Sequence, residues 1–269
     1  MIESIGDFLL NSNPLSAEMI ALLIGVGIFV GFVNTLAGMA TAISYALFMA
    51  MGMPINVANG TCRVGVLSQF AVSSVLFKKS GNLDYKVGAK VGIPIAIGSI
   101  IGAQAAAELN PSIMEVVMGI MLPIMTVLLF RNQRHSRKNG AVNKIGWDDV
   151  KFGPLEFVIY VFIGAYGGFT HAGVGILMIF GAVYLMGLDI VKANGIKQFA
   201  VLLYTPIALT IFILHDQVNW PVAIIYAVGN VIGAVIGSKV AFKWGAAVIN
   251  YVILIVVLIF SFMLIYKQF

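Results

Sequence analysis

Arg63 and Lys197 carry the clearest chemistry in the chain. Each follows an Asn-Gly pair, Asn59-Gly60 or Asn194-Gly195, inside an otherwise apolar stretch. Asn-Gly reads here as a helix-start signal, and a helix N-terminus brings partial positive charge and free backbone N–H groups. A basic side chain beside such a terminus suits a small oxyanion better than a cation. Asn59 and Asn194 therefore join Arg63, Lys197 and its neighbour Gln198 as candidate solute-binding residues. A charge inside a membrane span is costly and marks a solute pathway by default. The competing reading is that these long side chains snorkel to the interface. Arg63 precedes Lys78 by ~22 Å of helix, so it need not reach the centre of a ~30 Å hydrocarbon core.

Two further clusters pair small with polar residues: Asn34-Thr35-Leu36-Ala37-Gly38 and Phe169-Thr170-His171-Ala172-Gly173. Asn34, Thr35, Thr170 and His171 offer hydrogen bonds to a polar solute, although small residues often serve only to pack helices. His171 is either the carrier of a coupling proton or a satisfied structural histidine. Gln69, with Tyr204 and Thr205, either lines the same cavity or packs between helices. Cys62 is redox-sensitive, meets a soft sulfur species, or is a small buried hydrophobe. As the single cysteine it leaves no intramolecular disulfide and no thiol pair for zinc or iron–sulfur. No cofactor or metal is expected. His135 and His215 fall in polar loops and receive no role.

The elements that hold these residues read as membrane spans. Of 269 residues, 60% are hydrophobic and 10% charged, against roughly 45–50% apolar in a soluble domain. The net charge of +5 lies in a few loops beside apolar runs, which is topology control and not nucleic-acid binding. Apolar runs fall near 17–37, 39–53, 55–77, 87–107 and 112–130, then near 153–172, 174–188, 190–214, 220–241 and 244–266. Between them the polar stretch 131–151 reads as a basic cytoplasmic linker. The expected organisation is a transmembrane repeat over 1–130, that linker, and a second repeat over 152–269. The acidic start MIESIGDFLL argues against a cleaved signal peptide.

The halves align without a gap at a shift of 135, which pairs Ala58-Asn59-Gly60 with Ala193-Asn194-Gly195. The same shift pairs Thr35 with Thr170, Gly38 with Gly173, Gly52 with Gly187, Gly98 with Gly233 and Gly102 with Gly237. Gln198 is then the strict counterpart of Arg63, with Lys197 one position away. Lys78, Lys79 and Lys86 mark a first-half loop whose counterpart around His215 lacks Lys and Arg, and the next loop pair reverses this bias. The fold class expected is all-α integral membrane, with two inverted-topology repeats and broken or re-entrant hairpins. Both termini then lie outside. A second segment of about 15 residues, ~22 Å, is short for a span. Paired interrupted segments of this kind are where inverted-repeat transporters bind solute.

At GFVNTLAG, GMPINVANGTCRVGVLSQF, GGFTHAGVGILMIF, GLDIVKANGIKQFAVLLYT and QVNWPVAIIYAVGNVIGAVIGSKVA the chain resembles the TauE/SafE family of sulfite and organosulfonate permeases. The resemblance covers nearly the full length. Cys62 and Gly195 stand where many members carry Asn and Ala. It implies movement of a sulfur oxyanion or organosulfonate across the cytoplasmic membrane. The function expected is a secondary transporter, not an enzyme, in which the hairpins and third helices enclose one anion by alternating access. A passive anion channel and an intramembrane enzyme are the alternatives. The partners expected are the anionic solute and membrane lipid, and not nucleic acid. The spacing Gly229, Gly233, Gly237 permits internal packing or a homodimer contact.

Overall fold

The structure, a computed structural model, describes residues 9–10, 13–118, 120 and 145–266, with side chains through 252 except 246, 247 and 250. Its helices are α1 (Ala17–Leu36), α2 (Thr41–Ala50), α3 (Ile55–Lys79), α4 (Tyr85–Glu108), α5 (Pro154–Phe169), α6 (Val174–Tyr184), α7 (Ile190–Leu214) and α8 (Trp220–Tyr266). Residues 111–118 are also helical, and no strand occurs among the described residues. Most of the expected run 112–130 and of the linker 131–151 lies outside the described residues.

α1, α3, α4, α7 and the Trp220–Gly245 part of α8 are long and apolar enough to cross a membrane. The chain is an all-α integral membrane protein. α8 breaks at Gly245, whose φ of 58° and ψ of −144° fall just inside the last apolar run, expected from 244. Helix starts follow local capping. Asp84 Oδ1 accepts from the Lys86 and Val87 N–H at 2.8 and 3.0 Å, and Asn219 Oδ1 takes the Val222 N–H at 3.3 Å. These satisfy donors that the first turn of a helix leaves free. Ile93, Ile97 and Ile101 on α4 are exposed, as are Val228, Ile232 and Ile236 on α8. Spaced four apart, each set is one apolar stripe suited to lipid.

α2, α5 and α6 have 10, 16 and 11 residues, about 15, 24 and 16 Å long at ~1.5 Å per residue. None fills a ~30 Å core. α6 doubles back on α5: Tyr160, early in α5, donates to Met186 Sδ at 3.3 Å, just past the end of α6. Leu10 packs at Gly52 and Ile145 at Gly187, both turns following the short helices. Both pairs of positions differ by the same 135 residues. Positive φ recurs at that spacing too, at Gly38 and Gly173 (78° and 81°), Gly52 and Gly187 (84° and 70°), and Gly81 and Asp216 (76° and 55°).

The start of α3 meets the chain just past the end of α7, and the reverse also holds. A Cβ on Gly60 would lie 2.1 Å from Gln217 O, and one on Gly195 2.0 Å from Asn82 O. The Asn219 N–H donates to Thr61 Oγ1 at 2.9 Å. α3 and α7 are therefore antiparallel neighbours. Around them α4 packs on α5 and α7, while α8 packs on α1 and α3. Each fourth helix thus covers the first and third helices of the other half.

Candidate functional site

α1 and α5 both end inside the protein, so their last carbonyls need donors and carry the negative end of the helix dipole. The basic residues supply them, crosswise. Arg63 Nη2 on α3 donates to Gly168 O at 2.6 Å and Gly167 O at 3.3 Å, at the end of α5. Lys197 Nζ on α7 donates to Asn34 O at 2.8 Å and Thr35 O at 3.0 Å, at the end of α1. Both side chains are fully buried, which removes the snorkelling reading. Each also faces an aromatic ring: Arg63 Cζ is 4.9 Å from the Phe212 centroid and Lys197 Nζ 5.7 Å from that of Phe70.

The helix-start reading of Asn-Gly is corrected. α3 begins at Ile55 and α7 at Ile190, so both pairs lie a turn inside their helices. Their glycines instead admit the carbonyls of Gln217 and Asn82. What faces the cations is a helix C-terminus, not an N-terminus. The asparagines also serve this framework. Asn59 Nδ2 donates to Phe169 O at 2.8 Å and its Oδ1 accepts from Tyr45 OH at 3.0 Å. Asn194 Oδ1 accepts from Gln198 Nε2 at 3.1 Å.

Around the end of α1, Gln198 Nε2 also donates to Thr35 O at 2.8 Å, and Ser73 Oγ donates to Gln198 Oε1 at 2.9 Å. Gln69 Nε2 reaches Thr35 Oγ1 at 3.3 Å. Asn34 closes its own turn, accepting from the Ala40 N–H at 2.7 Å and donating to Thr41 Oγ1 at 2.9 Å. In the second turn Thr170 Oγ1 accepts from the Ala172 N–H at 3.3 Å. The His171 N–H donates to Tyr45 OH at 3.1 Å, and His171 Nδ1 shares a 2.5 Å hydrogen bond with Tyr204 OH. Cys62, next to Arg63, is a buried free thiol. None of the residues singled out from the sequence as solute-binding candidates is more than 2% exposed.

Lys197 and Gln198 meet α3 beyond Arg63. Lys197 meets α3 at Phe70, and its neighbour Gln198 meets Ser73. These positions lie on the order of 10–15 Å along the helix from Arg63 at ~1.5 Å per residue. The Phe70 ring also lies 5.9 Å from that of His171. The hairpin tips touch where a Cβ on Gly38 would fall 2.6 Å from Gly175 Cα. Sequence alignment pairs Gly38 with Gly173, but Gly175 is the contact. Tyr45, Phe70, Ser73 and Gly175 are the participants that the sequence reading passed over. A polar Ser44-Tyr45 pair in so short an apolar helix was the available signal.

Among the described residues no Asp or Glu is buried, and the one ion pair, Lys192 with Asp189 at 3.9 Å, is partly exposed. Burying a cation costs several kcal/mol, of which a helix terminus returns at most about 2 kcal/mol. The site is therefore electropositive and short of negative charge. Arg63 Nε and Nη1 lack hydrogen-bond partners, as do Gln69 Oε1, Asn194 Nδ2 and Thr205 Oγ1. No group of three or more His, Cys, Asp or Glu suited to a metal ion occurs among the described residues.

A "Probable membrane transporter protein" of Haemophilus influenzae is 23% identical over 255 residues, covering 93% of this chain and 96% of that protein. "Probable membrane transporter protein ORF9" of a Sinorhizobium species is 30% identical over 105 residues, 38% of this chain and 40% of that protein. No solved structure matches the chain. The sulfite exporter TauE/SafE family matches residues 23–264. With that match over most of its length, the chain belongs to the sulfite exporter TauE/SafE family of membrane transporters.

Proposed function

We propose that this chain is a secondary carrier that moves a small anion, a sulfur oxyanion or organosulfonate, across the cytoplasmic membrane by alternating access. One observation carries the reading: two fully buried cations, Arg63 and Lys197, with no buried carboxylate among the described residues. An anion between the hairpins supplies the missing charge. The family's description as a sulfite exporter directs the choice among anions to sulfur species. The antiparallel α3 and α7, with the loop-charge bias, support inverted repeats with both termini outside. Closure of every candidate residue from solvent favours a carrier over a channel. His171, hydrogen-bonded to Tyr204, is the residue proposed for a coupled proton.

The test is thermal stability of the purified protein in detergent against sulfite, thiosulfate, sulfate, sulfoacetate, taurine and acetate. A ligand at about a hundredfold its dissociation constant adds ~2.7 kcal/mol to the native state. Selective stabilisation by sulfur oxyanions is the expected result. Equal indifference to all six removes the anion reading.

A further inference from the structure

We propose that the two buried cations divide the work. Arg63 carries the solute's negative charge, whereas Lys197 is a positioning residue that fastens the tip of the α1–α2 hairpin to α7. The proposal rests on the anion-carrier reading above and assigns its charges. A guanidinium has five N–H donors. In Arg63 only Nη2 is engaged, with Gly167 and Gly168. Nε and Nη1, with three N–H groups between them, have no partner in a residue that is 0% exposed. Such donors are costly to leave unmet, and an oxyanion is the ligand that meets them.

Lys197 is differently placed. Two of its three N–H groups are taken by the Asn34 and Thr35 carbonyls, so the difference lies in hydrogen bonding, each cation facing one aromatic ring. Its Cδ lies 3.1 Å from where a Cβ on Gly175 would stand, so the stem passes the point where the hairpin tips meet. Gln198 holds the same Thr35 carbonyl and Gln69 the Thr35 hydroxyl. Lys197 is thus the charged member of a cluster that anchors α1. Moving that hairpin requires these bonds to open, so Lys197 governs the rate of the conformational step.

Sulfite binding in detergent and sulfite flux in proteoliposomes separate the two roles. Arg63→Gln is expected to raise the sulfite Kd and KM by at least about tenfold, the weight of one charge-assisted hydrogen bond. Arg63→Lys keeps a cation for the α5 carbonyls but cuts the three unmet donors to one. It is expected to fold like the wild type and to show the same loss of affinity. Lys197→Met is expected to keep Kd within about threefold while kcat changes about tenfold or more, and Lys197→Arg to restore the rate. Unchanged affinity in a folded Arg63→Lys, or loss of affinity with unchanged kcat in Lys197→Met, overturns the division. Absence of any anion effect overturns the carrier reading itself, and this inference with it.

Discussion

The contact between the hairpin tips can be taken apart with three glycine-to-alanine substitutions. Gly38 has φ 78° and a Cβ there would lie 2.6 Å from Gly175 Cα. Gly81 has a similar φ, 76°, with nothing within 4 Å of its Cβ position. Gly175 lacks a positive φ, yet its Cβ would lie 2.7 Å from Gly38 Cα and 3.1 Å from Lys197 Cδ. Gly81→Ala therefore isolates the left-handed torsion, ~1–2 kcal/mol. Gly175→Ala isolates the overlap, ~1–3 kcal/mol. Gly38→Ala carries both, ~2–5 kcal/mol, a large fraction of a native stability of roughly 5–15 kcal/mol. Denaturant titration in mixed micelles gives the three free energies, and proteoliposome flux gives the functional effect. Gly38→Ala and Gly175→Ala, but not Gly81→Ala, are expected to lower flux, because only they force the tips apart. A Gly38→Ala no more destabilising than Gly81→Ala, or a neutral Gly175→Ala, refutes the tip contact.

Gly60→Ala and Gly195→Ala each drive a methyl into a carbonyl, of Gln217 and Asn82 respectively, and each should cost ~1–3 kcal/mol by overpacking. Mixed-micelle unfolding checks this, and a neutral result at both sites contradicts the antiparallel α3–α7 crossing. Cys62 is 0% exposed, so a maleimide should label it only after denaturation. Prompt labelling of the resting protein places the thiol on an open path instead. Lys79 and His215, exposed at the far ends of α3 and α7, should become labelled from opposite faces when replaced by Cys, Lys79→Cys from the cytoplasm. Labelling of both from one face contradicts the inverted arrangement.

Much of this fold is written in long apolar runs between polar punctuation. The run read at 190–214 coincides with α7, and the 55–77 run falls two residues short of α3. A continuous apolar stretch has few other ways to satisfy its backbone in lipid. The short helices were harder to delimit, since the run 39–53 contains only the ten residues of α2. Its remaining residues belong to the turns at Gly38, just before the run, and at Gly52. Asn-Gly misled because its usual turn chemistry was overridden by tertiary packing, glycine being needed to admit a carbonyl from the neighbouring helix. Arg63 and Lys197 were legible as buried charges. Their partners were not, because those are backbone carbonyls at the ends of α5 and α1, and no side-chain pattern records which carbonyl a distant cation will meet.

The decisive experiment is counterflow in proteoliposomes loaded with unlabelled sulfite, following entry of trace labelled sulfite at increasing concentration. A carrier built around Arg63 should give saturable entry that internal sulfite accelerates, with saturation shifted upward about tenfold or more in Arg63→Lys. Entry that rises linearly without saturation or acceleration, or that ignores Arg63→Lys, would contradict an anion carried through this site.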